Sequence, residues 1–202
     1  MKLLLDEMRI LGDNIKMHIL DKYLLWIIRS GARHIGIDEL ADEIGVSVGT
    51  IKKYYSCEEE IIDDAVKRAS NLSNEALISV INTPLSPRRK MEILTSVIMS
   101  GISRNHGLAE EFVFMGQLQI SSAFSKRVEK YNNMPVFCVS KIIEEGQECG
   151  DIIQGDPLYL SKVFWGFIQG VCINYITIGN EFEIPSAEMI NKFLWAPNSA
   201  EG

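Results

Sequence analysis

A lysine pair, Lys52 and Lys53, closely follows Gly49 and Thr50 near the end of a short amphipathic segment. Lysine can neutralise phosphate, threonine can contact a phosphate or a thymine methyl group, and glycine allows a helix to approach another surface closely. These residue types at this spacing indicate contact with a nucleic acid. The alternative interpretation of the lysine pair is a solvated helix end.

Two short helices separated by a tight turn are predicted to position these residues. Apolar side chains recur from Ile37 to Ile44 at the spacing of one helix face. Gly45 is expected to leave that helix with a positive φ, and Ser47 to cap the next helix with its hydroxyl group. In the second helix, Ile51 and Tyr55 are predicted to pack inward, which leaves the other residues facing outward or sideways.

From about residue 19 to residue 61 the chain resembles the amino-terminal domain of the TetR (tetracycline repressor) family of bacterial regulators. The resemblance lies in the order and spacing of Ile19-Leu20, Gly31, Leu40-Ala41, Gly45-Val46-Ser47, Gly49-Thr50-Ile51, Tyr55, and Glu59 before Ile61. It implies an all-α fold, with a three-helix DNA-binding head carrying the helix-turn-helix and a larger helical domain for ligand binding and dimerisation. It also implies a double-stranded DNA operator, a small-molecule effector and a second copy of the chain as partners.

The charge distribution weakens the expectation of DNA binding. The whole chain has a formal net charge of −7, and residues 16 to 55 contain six basic and five acidic side chains. In the family the position of Glu58 is commonly a lysine and that of Lys52 a tyrosine, and both contact phosphate. Hydroxyl residues are usual where this chain has Ile35-Gly36. We therefore expect weak or unusually specific binding, because fewer side chains are available to displace counterions.

Arg33 and His34 lie in the loop that leads into the first of the two helices, and they are predicted to form a small phosphate clamp with the lysine pair. Ser56 and Glu59 have the spacing of a capping box that begins the following helix. The candidate DNA-binding residues are Arg33, His34, Gly36, Ser47, Val48, Gly49, Thr50, Lys52, Lys53 and Tyr54.

Helical periodicity continues through the rest of the chain, without sustained strand alternation. The helix that begins at the capping box is predicted to continue to about residue 81, and further helices are predicted over residues 87–103, 108–120, 122–149, 157–178 and 186–195. Ser86 is expected to cap the helix over residues 87–103, and Pro135 to interrupt or kink the helix over residues 122–149. The predicted organisation is an amino-terminal extension (1–14), the helix-turn-helix domain (15–60), an effector-binding and dimerisation domain (61–197) and a flexible tail (198–202).

The segment from Val163 to Gly179 has no charged residue and carries apolar bulk on every helix face. It is shorter than the roughly 20 apolar residues that a membrane span needs, so burial on two sides is the favoured interpretation and membrane insertion the alternative. One face is predicted to meet the chain's own core and the other a twofold partner. The resemblance implies dimerisation through the helices at 157–178 and 186–195. The candidate dimer-interface residues are Trp165, Gly166, Gly170, Ile173 and Phe193.

Methionine and aromatic residues are frequent in the second half of the chain. Most are expected to form the core, but flexible methionines and flat rings can also line an adaptable apolar cavity. The candidate effector-pocket residues are Met99, Phe112, Met115, Phe137, Phe164 and Phe167.

Other classes of protein fit poorly. The three histidines are dispersed, and no nucleophile elbow, phosphate loop or CxxC pair occurs, so we expect no enzyme activity, no cofactor and no metal. Charges interrupt the apolar start of the chain, which favours a cytoplasmic protein. We expect a homodimeric repressor that binds a palindromic operator and is released by a small lipophilic effector. The alternative is a protein-interaction module whose helix-turn-helix has weakened or lost DNA binding.

Overall fold

The structure, a computed structural model, describes the backbone of residues 2–104 and 106–197. Within these ranges it does not describe the side chains of residues 2–13, 71–73, 75–76, 106, 130–133 and 180. The described residues form helices, and their only extended pairing is an isolated bridge between Ile152 and Trp195. The predicted all-α fold class is therefore confirmed. The helices are α1 (Lys2–Ser30), α2 (Ile37–Ile44), α3 (Val48–Lys52), α4 (Glu58–Ile81), α5 (Pro87–Arg104), α6 (His106–Ile120), α7 (Ser125–Glu148), α8 (Pro157–Ile178) and α9 (Ala187–Asn191).

The chain divides into two compact units. The first unit comprises residues 1–68 and 114–128, and the second comprises residues 69–113 and 129–202. The division predicted at residue 60 differs from this one, because residues 61–68 and 114–128 belong to the unit that contains the helix-turn-helix. The predicted extension over residues 1–14 is not separate either, because α1 continues from Lys2 into the head. The predicted tail lies outside the described residues.

Buried polar contacts connect the helices of the second unit. The Thr95 hydroxyl of α5 donates to Asn191 Oδ1 at 2.8 Å, and the Asn191 amide donates to the Met91 carbonyl at 3.3 Å. The Ser161 hydroxyl of α8 donates to the Val136 carbonyl of α7 at 2.7 Å. Because such groups are costly to bury without partners, these bonds specify how α5, α7, α8 and α9 pack.

Most of the predicted helix boundaries hold. α5 begins at Pro87 as expected, and the Arg89 backbone N–H donates to the hydroxyl of Ser86, the predicted cap, at 3.3 Å. α7 begins three residues later than predicted, at Ser125, and it continues through Pro135 without interruption. No described helix is long and apolar enough to cross a membrane.

The helix predicted over residues 186–195 is wrong in its length. α9 ends at Asn191 and is followed by a short 3₁₀ turn, Lys192–Leu194. The reason is a competing backbone pairing, in which the Ile153 N–H donates to the Leu194 carbonyl at 2.8 Å and the Ala196 N–H to the Asp151 carbonyl at 3.1 Å. The second long helix expected at a dimer interface is therefore absent from this segment.

Candidate nucleic-acid interface

The turn between α2 and α3 has the predicted geometry. Gly45 lies in the left-handed region at φ 72°, and its N–H donates to the Ala41 carbonyl at the end of α2. Ser47 is the N-cap of α3, and its hydroxyl oxygen accepts from the Thr50 backbone N–H at 3.0 Å. The Ser47 and Thr50 hydroxyl groups also lie 2.8 Å apart. The two helices are therefore joined by local interactions that this short sequence encodes.

Ile51 of α3 packs into the first unit as expected, and so does Tyr55, although α3 ends before it at Lys52. Ile51 is fully buried and Tyr55 is 2% exposed. The Tyr55 hydroxyl donates to Asp64 Oδ2 of α4 at 3.3 Å, and the Lys16 ammonium lies 2.5 Å from the same carboxylate. Burial, followed by the charge of Asp64, raises the pKa of Tyr55 above its ordinary value. These contacts hold α3 against α1 and α4.

The outer face of α3 presents the lysine pair to solvent. Lys52 and Lys53 are exposed, and neither has an ion-pair partner among the described residues. Gly49 is also exposed, while Thr50 is half-buried. Two other candidates, Val48 and Tyr54, are likewise half-buried. Gly36 is the N-cap of α2 and lacks a side-chain cap, since glycine has no hydroxyl to offer.

Glu58 lies in the interior of the first unit and is only 7% exposed. Its Oε1 accepts from the Tyr23 hydroxyl at 2.9 Å and from the Ile35 backbone N–H at 3.0 Å, and its Oε2 lies 2.8 Å from His34 Nδ1. Burial, followed by the charge of Glu58, raises the pKa of Tyr23 above its ordinary value. Glu58 therefore joins the first turn of α4 to α1 and to the loop before α2, and we call this set of contacts the Glu58 network.

The predicted capping box of Ser56 and Glu59 is not formed, and Glu60 instead of Glu59 reaches back to Ser56. The Ser56 backbone N–H donates to Glu60 Oε2 at 2.7 Å, and its hydroxyl also lies within hydrogen-bond distance of the Glu60 carboxylate. Because α4 begins at Glu58, Glu60 is its third residue, which is the position whose carboxylate reaches back in a capping box. The backbone N–H of Glu59, followed by the Cys57 thiol, favours the charged form of the Glu59 carboxyl and lowers its pKa.

In the loop between α1 and α2, the two loop residues of the predicted phosphate clamp make different contacts. Arg33 is exposed, and its guanidinium lies 5.8 Å from the centre of the Trp26 ring. His34 is bonded to Glu58 through Nδ1, and its ring meets Phe124 edge-on at a centroid distance of 4.5 Å. His34 therefore supports the loop through contacts that leave 60% of its side chain exposed.

Residues beyond the predicted head also hold this loop. The Ser121 hydroxyl donates to the Ala32 carbonyl at 3.3 Å, and Phe124 is 1% exposed. The Arg127 guanidinium pairs with Asp63 of α4 at 3.0 Å. Sequence reasoning missed these contacts, because each joins positions at least 64 residues apart and none belongs to a local motif.

The candidate effector residues divide by burial. Met99 and Phe164 are buried in the second unit and Phe112 is half-buried there, whereas Met115 is buried in the first unit. The other two candidates, Phe137 and Phe167, are more exposed. Their side chains are 55% and 47% exposed on the surface of the single chain.

Trp165, predicted to lie at a dimer interface, belongs to an aromatic cluster. Its ring stacks on Phe112 at 6.0 Å and meets Phe164 edge-on at 5.3 Å. Its Nε1 is buried and has no hydrogen-bond partner among the described residues. Trp165 therefore points into its own unit, and the orphan N–H is the one polar atom of this cluster.

The other candidate interface residues lie on α8 or against it. Gly166 and Gly170 face open space, with no atom within 4 Å of an added Cβ, and Ile173 is 45% exposed. Phe193 is half-buried, with its ring 4.9 Å from that of Phe167. Among the described residues, no three acidic, cysteine or histidine side chains are grouped to hold a metal ion.

A helix-turn-helix head joined to a larger helical unit is the fold of TetR-family transcriptional regulators, and the chain has this fold. FadR from Bacillus subtilis, solved in complex with stearoyl-CoA, is 20% identical with a TM-score of 0.65, covering 88% of this chain and 94% of that one. FadR from Bacillus halodurans, described as a fatty acid degradation regulator, is 18% identical with a TM-score of 0.66, covering 89% and 92%. The SmeT–triclosan complex is 11% identical with a TM-score of 0.67, covering 93% and 94%. No family model and no curated protein sequence matches the chain.

Proposed function

We propose that the chain is a cytoplasmic, homodimeric transcriptional regulator that represses from a palindromic operator and is released by a small effector. The observation that carries the proposal is the outer face of α3. It holds two exposed lysines without ion-pair partners in the described part of the chain, on a helix that Ser47 caps and Ile51 anchors. Such a helix can enter a major groove, and its lysines can meet phosphate.

The Glu58 network answers one objection to this proposal. In the sequence, Glu58 stands where the family commonly has a phosphate-binding lysine. In the structure its carboxylate is buried against Tyr23, His34 and Ile35, so it does not lie on the exposed surface where phosphate would approach. The same contacts stabilise the loop that leads into α2, and through α2 they support the position of α3.

A selection from random duplexes with the full-length chain tests the DNA-binding part. We expect an inverted repeat to be enriched. Lys52→Ala and Lys53→Ala should each lower the slope of log affinity against log salt concentration by about 1. Lys126→Ala is a matched control, since Lys126 is an exposed lysine of the first unit outside α3. The DNA-binding part fails if no sequence is enriched, or if all three variants bind like the parent chain.

The exposed face of α8 supports dimerisation. Phe167 and Ile173 are 47% and 45% exposed on a helix without charge in this region, and Gly170 between them leaves room for close approach of a partner helix. Ile173→Glu should convert a dimer into a monomer in sedimentation experiments, because it places a charge in an apolar interface. Ile78→Glu changes an equally exposed isoleucine of α4 and should leave the dimer intact. A parent chain that sediments as a monomer would contradict this part.

The cluster of Phe112, Phe164 and Trp165 supports an effector site in the second unit. A buried N–H without a partner costs about 1–3 kcal/mol, so a bound molecule that offers an acceptor to Trp165 Nε1 would be favoured. We propose an effector with an apolar body and one hydrogen-bond acceptor. FadR from Bacillus subtilis was solved with stearoyl-CoA and SmeT with triclosan. These two compounds therefore suit a first screen.

Operator release by these two compounds can be measured with Trp165→Phe, which removes the N–H and keeps an aromatic ring. We expect the concentration for half release to rise about tenfold, the size of one lost hydrogen bond. Trp195→Phe is the matched control, because Trp195 is not part of this cluster and pairs with Ile152. Equal effects of the two substitutions would argue against a role for Trp165 Nε1.

The alternative is a protein-interaction module without DNA binding. Four exposed carboxylates on α2, Asp38, Glu39, Asp42 and Glu43, favour it, since they oppose the approach of phosphate. Salt separates the two functions, because phosphate-driven binding weakens steeply as ionic strength rises. A complex with a protein that forms equally well in low and high salt, together with no operator, would favour the alternative.

A further inference from the structure

A cleft of about 280 Å³ lies between α1 and the last turn of α2, within the first unit. Trp26 and Ile44 supply apolar walls, and Lys22, Arg29 and Arg33 bring three positive charges to it. We call the cleft the basic cleft and these three residues the cleft cations. Its size is close to the lower end of small-molecule sites, and it combines apolar walls with convergent charged groups as such sites do.

The cleft cations differ from Arg68 and Arg127 of the same unit in having no carboxylate partner among the described residues. Arg68 pairs with Asp21 at 2.7 Å, and Arg127 pairs with Asp63 at 3.0 Å. None of the cleft cations has an ion pair among the described residues, and the one carboxylate that lines the cleft, Glu43, is not within ion-pair distance of them. Three like charges facing one carboxylate leave the cleft net positive, so it attracts an anion.

The residues around Trp26 place oriented hydrogen-bond donors next to an apolar surface. The Arg33 guanidinium lies 5.8 Å from the centre of the indole ring, and Tyr23 stacks on the same ring from α1 at 6.2 Å. A guanidinium held in this way keeps its donors oriented for a carboxylate or phosphate oxygen. The indole edge and Ile44 leave an apolar surface next to those donors.

We propose that the basic cleft is a binding site for a small organic anion, with a carboxylate or phosphate group held by the cleft cations and a flat apolar body against Trp26 and Ile44. The site is distinct from the effector site proposed in the second unit, since all of its residues belong to the first unit. Ligand binding here does not depend on the proposed regulatory function. The same cations offer the same chemistry to phosphate groups of DNA, so the experiment must separate the two sources.

The indole N–H signals in a ¹⁵N-correlation spectrum of the full-length chain report on the cleft. The chain has three tryptophans, and the Trp26 signal is identified by its loss in Trp26→Phe. The probes are phenyl phosphate, inorganic phosphate and benzyl alcohol, which present both parts of the ligand, the anion alone and the apolar body alone. We expect phenyl phosphate to shift the Trp26 signal with a Kd on the order of 1 mM. The other two probes should bind at least about tenfold more weakly.

The double variant Arg29→Gln, Arg33→Gln should weaken phenyl phosphate at least about tenfold, because it removes two charged donors. Both side chains are exposed, so the fold should persist, and Lys126→Gln controls for the loss of an exposed cation. If inorganic phosphate binds as tightly as phenyl phosphate, the apolar body adds no affinity and the proposed organic anion is wrong. If the double variant binds phenyl phosphate with unchanged affinity, the cleft cations do not hold the anion and the proposed site is wrong. If only duplex DNA of random sequence shifts the Trp26 signal, the cleft contacts the DNA backbone and the small-ligand proposal is wrong.

Discussion

Reversing the charge of Glu58 is the sharpest test of how the head is held together. By resemblance alone, Glu58→Lys restores a phosphate-binding lysine and should strengthen DNA binding. The structure predicts the opposite result. The lysine ammonium would be buried beside the Tyr23 hydroxyl and the Ile35 N–H, two donors that now point at a carboxylate. It would also place a cation in the first turn of α4, where the helix dipole favours an anion.

The expected loss can be estimated from the contacts. Hydrogen bonds to a charged group contribute about 1.5–3 kcal/mol each, and the two from Tyr23 and Ile35 are buried. The His34 side chain is 60% exposed, so solvent screening limits its contribution to at most about 1 kcal/mol. Glu58→Lys should therefore cost about 4 kcal/mol or more. Glu58→Gln keeps one acceptor oxygen and should cost about 1–2 kcal/mol.

Hydrogen exchange at the Ile35 amide measures this loss directly, because that N–H donates to Glu58. A destabilisation of about 4 kcal/mol corresponds to exchange faster by roughly a thousandfold, if the amide exchanges by opening of this loop. The matched control is Glu39→Lys, which makes the same change of charge at an exposed position of α2. Its Ile35 amide should exchange as in the parent chain, and its general DNA affinity should rise.

If Glu58→Lys leaves exchange at Ile35 unchanged and raises DNA affinity as much as Glu39→Lys does, Glu58 is a surface residue in solution. The Glu58 network would then have no part in positioning α2. A partial result, with slow exchange retained only in Glu58→Gln, would assign the stabilisation to shape and hydrogen bonding at this position instead of charge.

Three further outcomes are expected. Burial raises the pKa of Tyr23, so the contribution of Tyr23 to stability is complete below the ordinary tyrosine pKa of about 10 and is lost as pH rises further. In Tyr23→Phe, the free energy of unfolding measured in urea should therefore fall less steeply above that pH. At pH 8 a thiol reagent should modify exposed Cys149 quickly, whereas Cys172, whose pKa burial raises to about 12, should react only after unfolding; equal rates would contradict its burial. Gly146→Ala should lower the free energy of unfolding by about 1–3 kcal/mol in a thermal or urea melt, since the added Cβ would lie 2.5 Å from Ile152 Cδ1 and 3.1 Å from Ile152 Cβ. A neutral effect would mean that this contact relaxes freely.

Local patterns were sufficient to predict the helix-turn-helix. The positive φ of Gly45, the Ser47 cap and the inward packing of Ile51 each depend on residues within a few positions along the chain. The spacing of apolar residues likewise predicted the long helices, including α8 with its proline at the first position after the Asp156 cap. Such features are visible in a sequence because helix periodicity and capping are short-range properties.

Features that depend on neighbours distant in the sequence could not be predicted from local patterns. Phe137 and Phe167 have the same residue type as buried Phe164, and only packing distinguishes them. The end of α9 at Asn191 results from backbone pairing with residues 151–153, a partner that no periodicity within the segment indicates. Composition therefore identified the core-forming residue types, while the tertiary structure decided which of them are buried.

At the candidate interface, local sequence patterns likewise did not determine that Glu58 is buried. Three consecutive glutamates predict an acidic helix start, and the sequence alone determined that α4 begins there and that its first turn suits anions. It did not determine which carboxylate turns inward, because that depends on Tyr23 and His34, which lie 35 and 24 residues away. The basic cleft likewise exists only where α1 meets the end of α2. Local spacing determined the helix-turn-helix of this chain, whereas long-range packing decided which of its charges face solvent, because burial depends on neighbours that the chain brings together only when it folds.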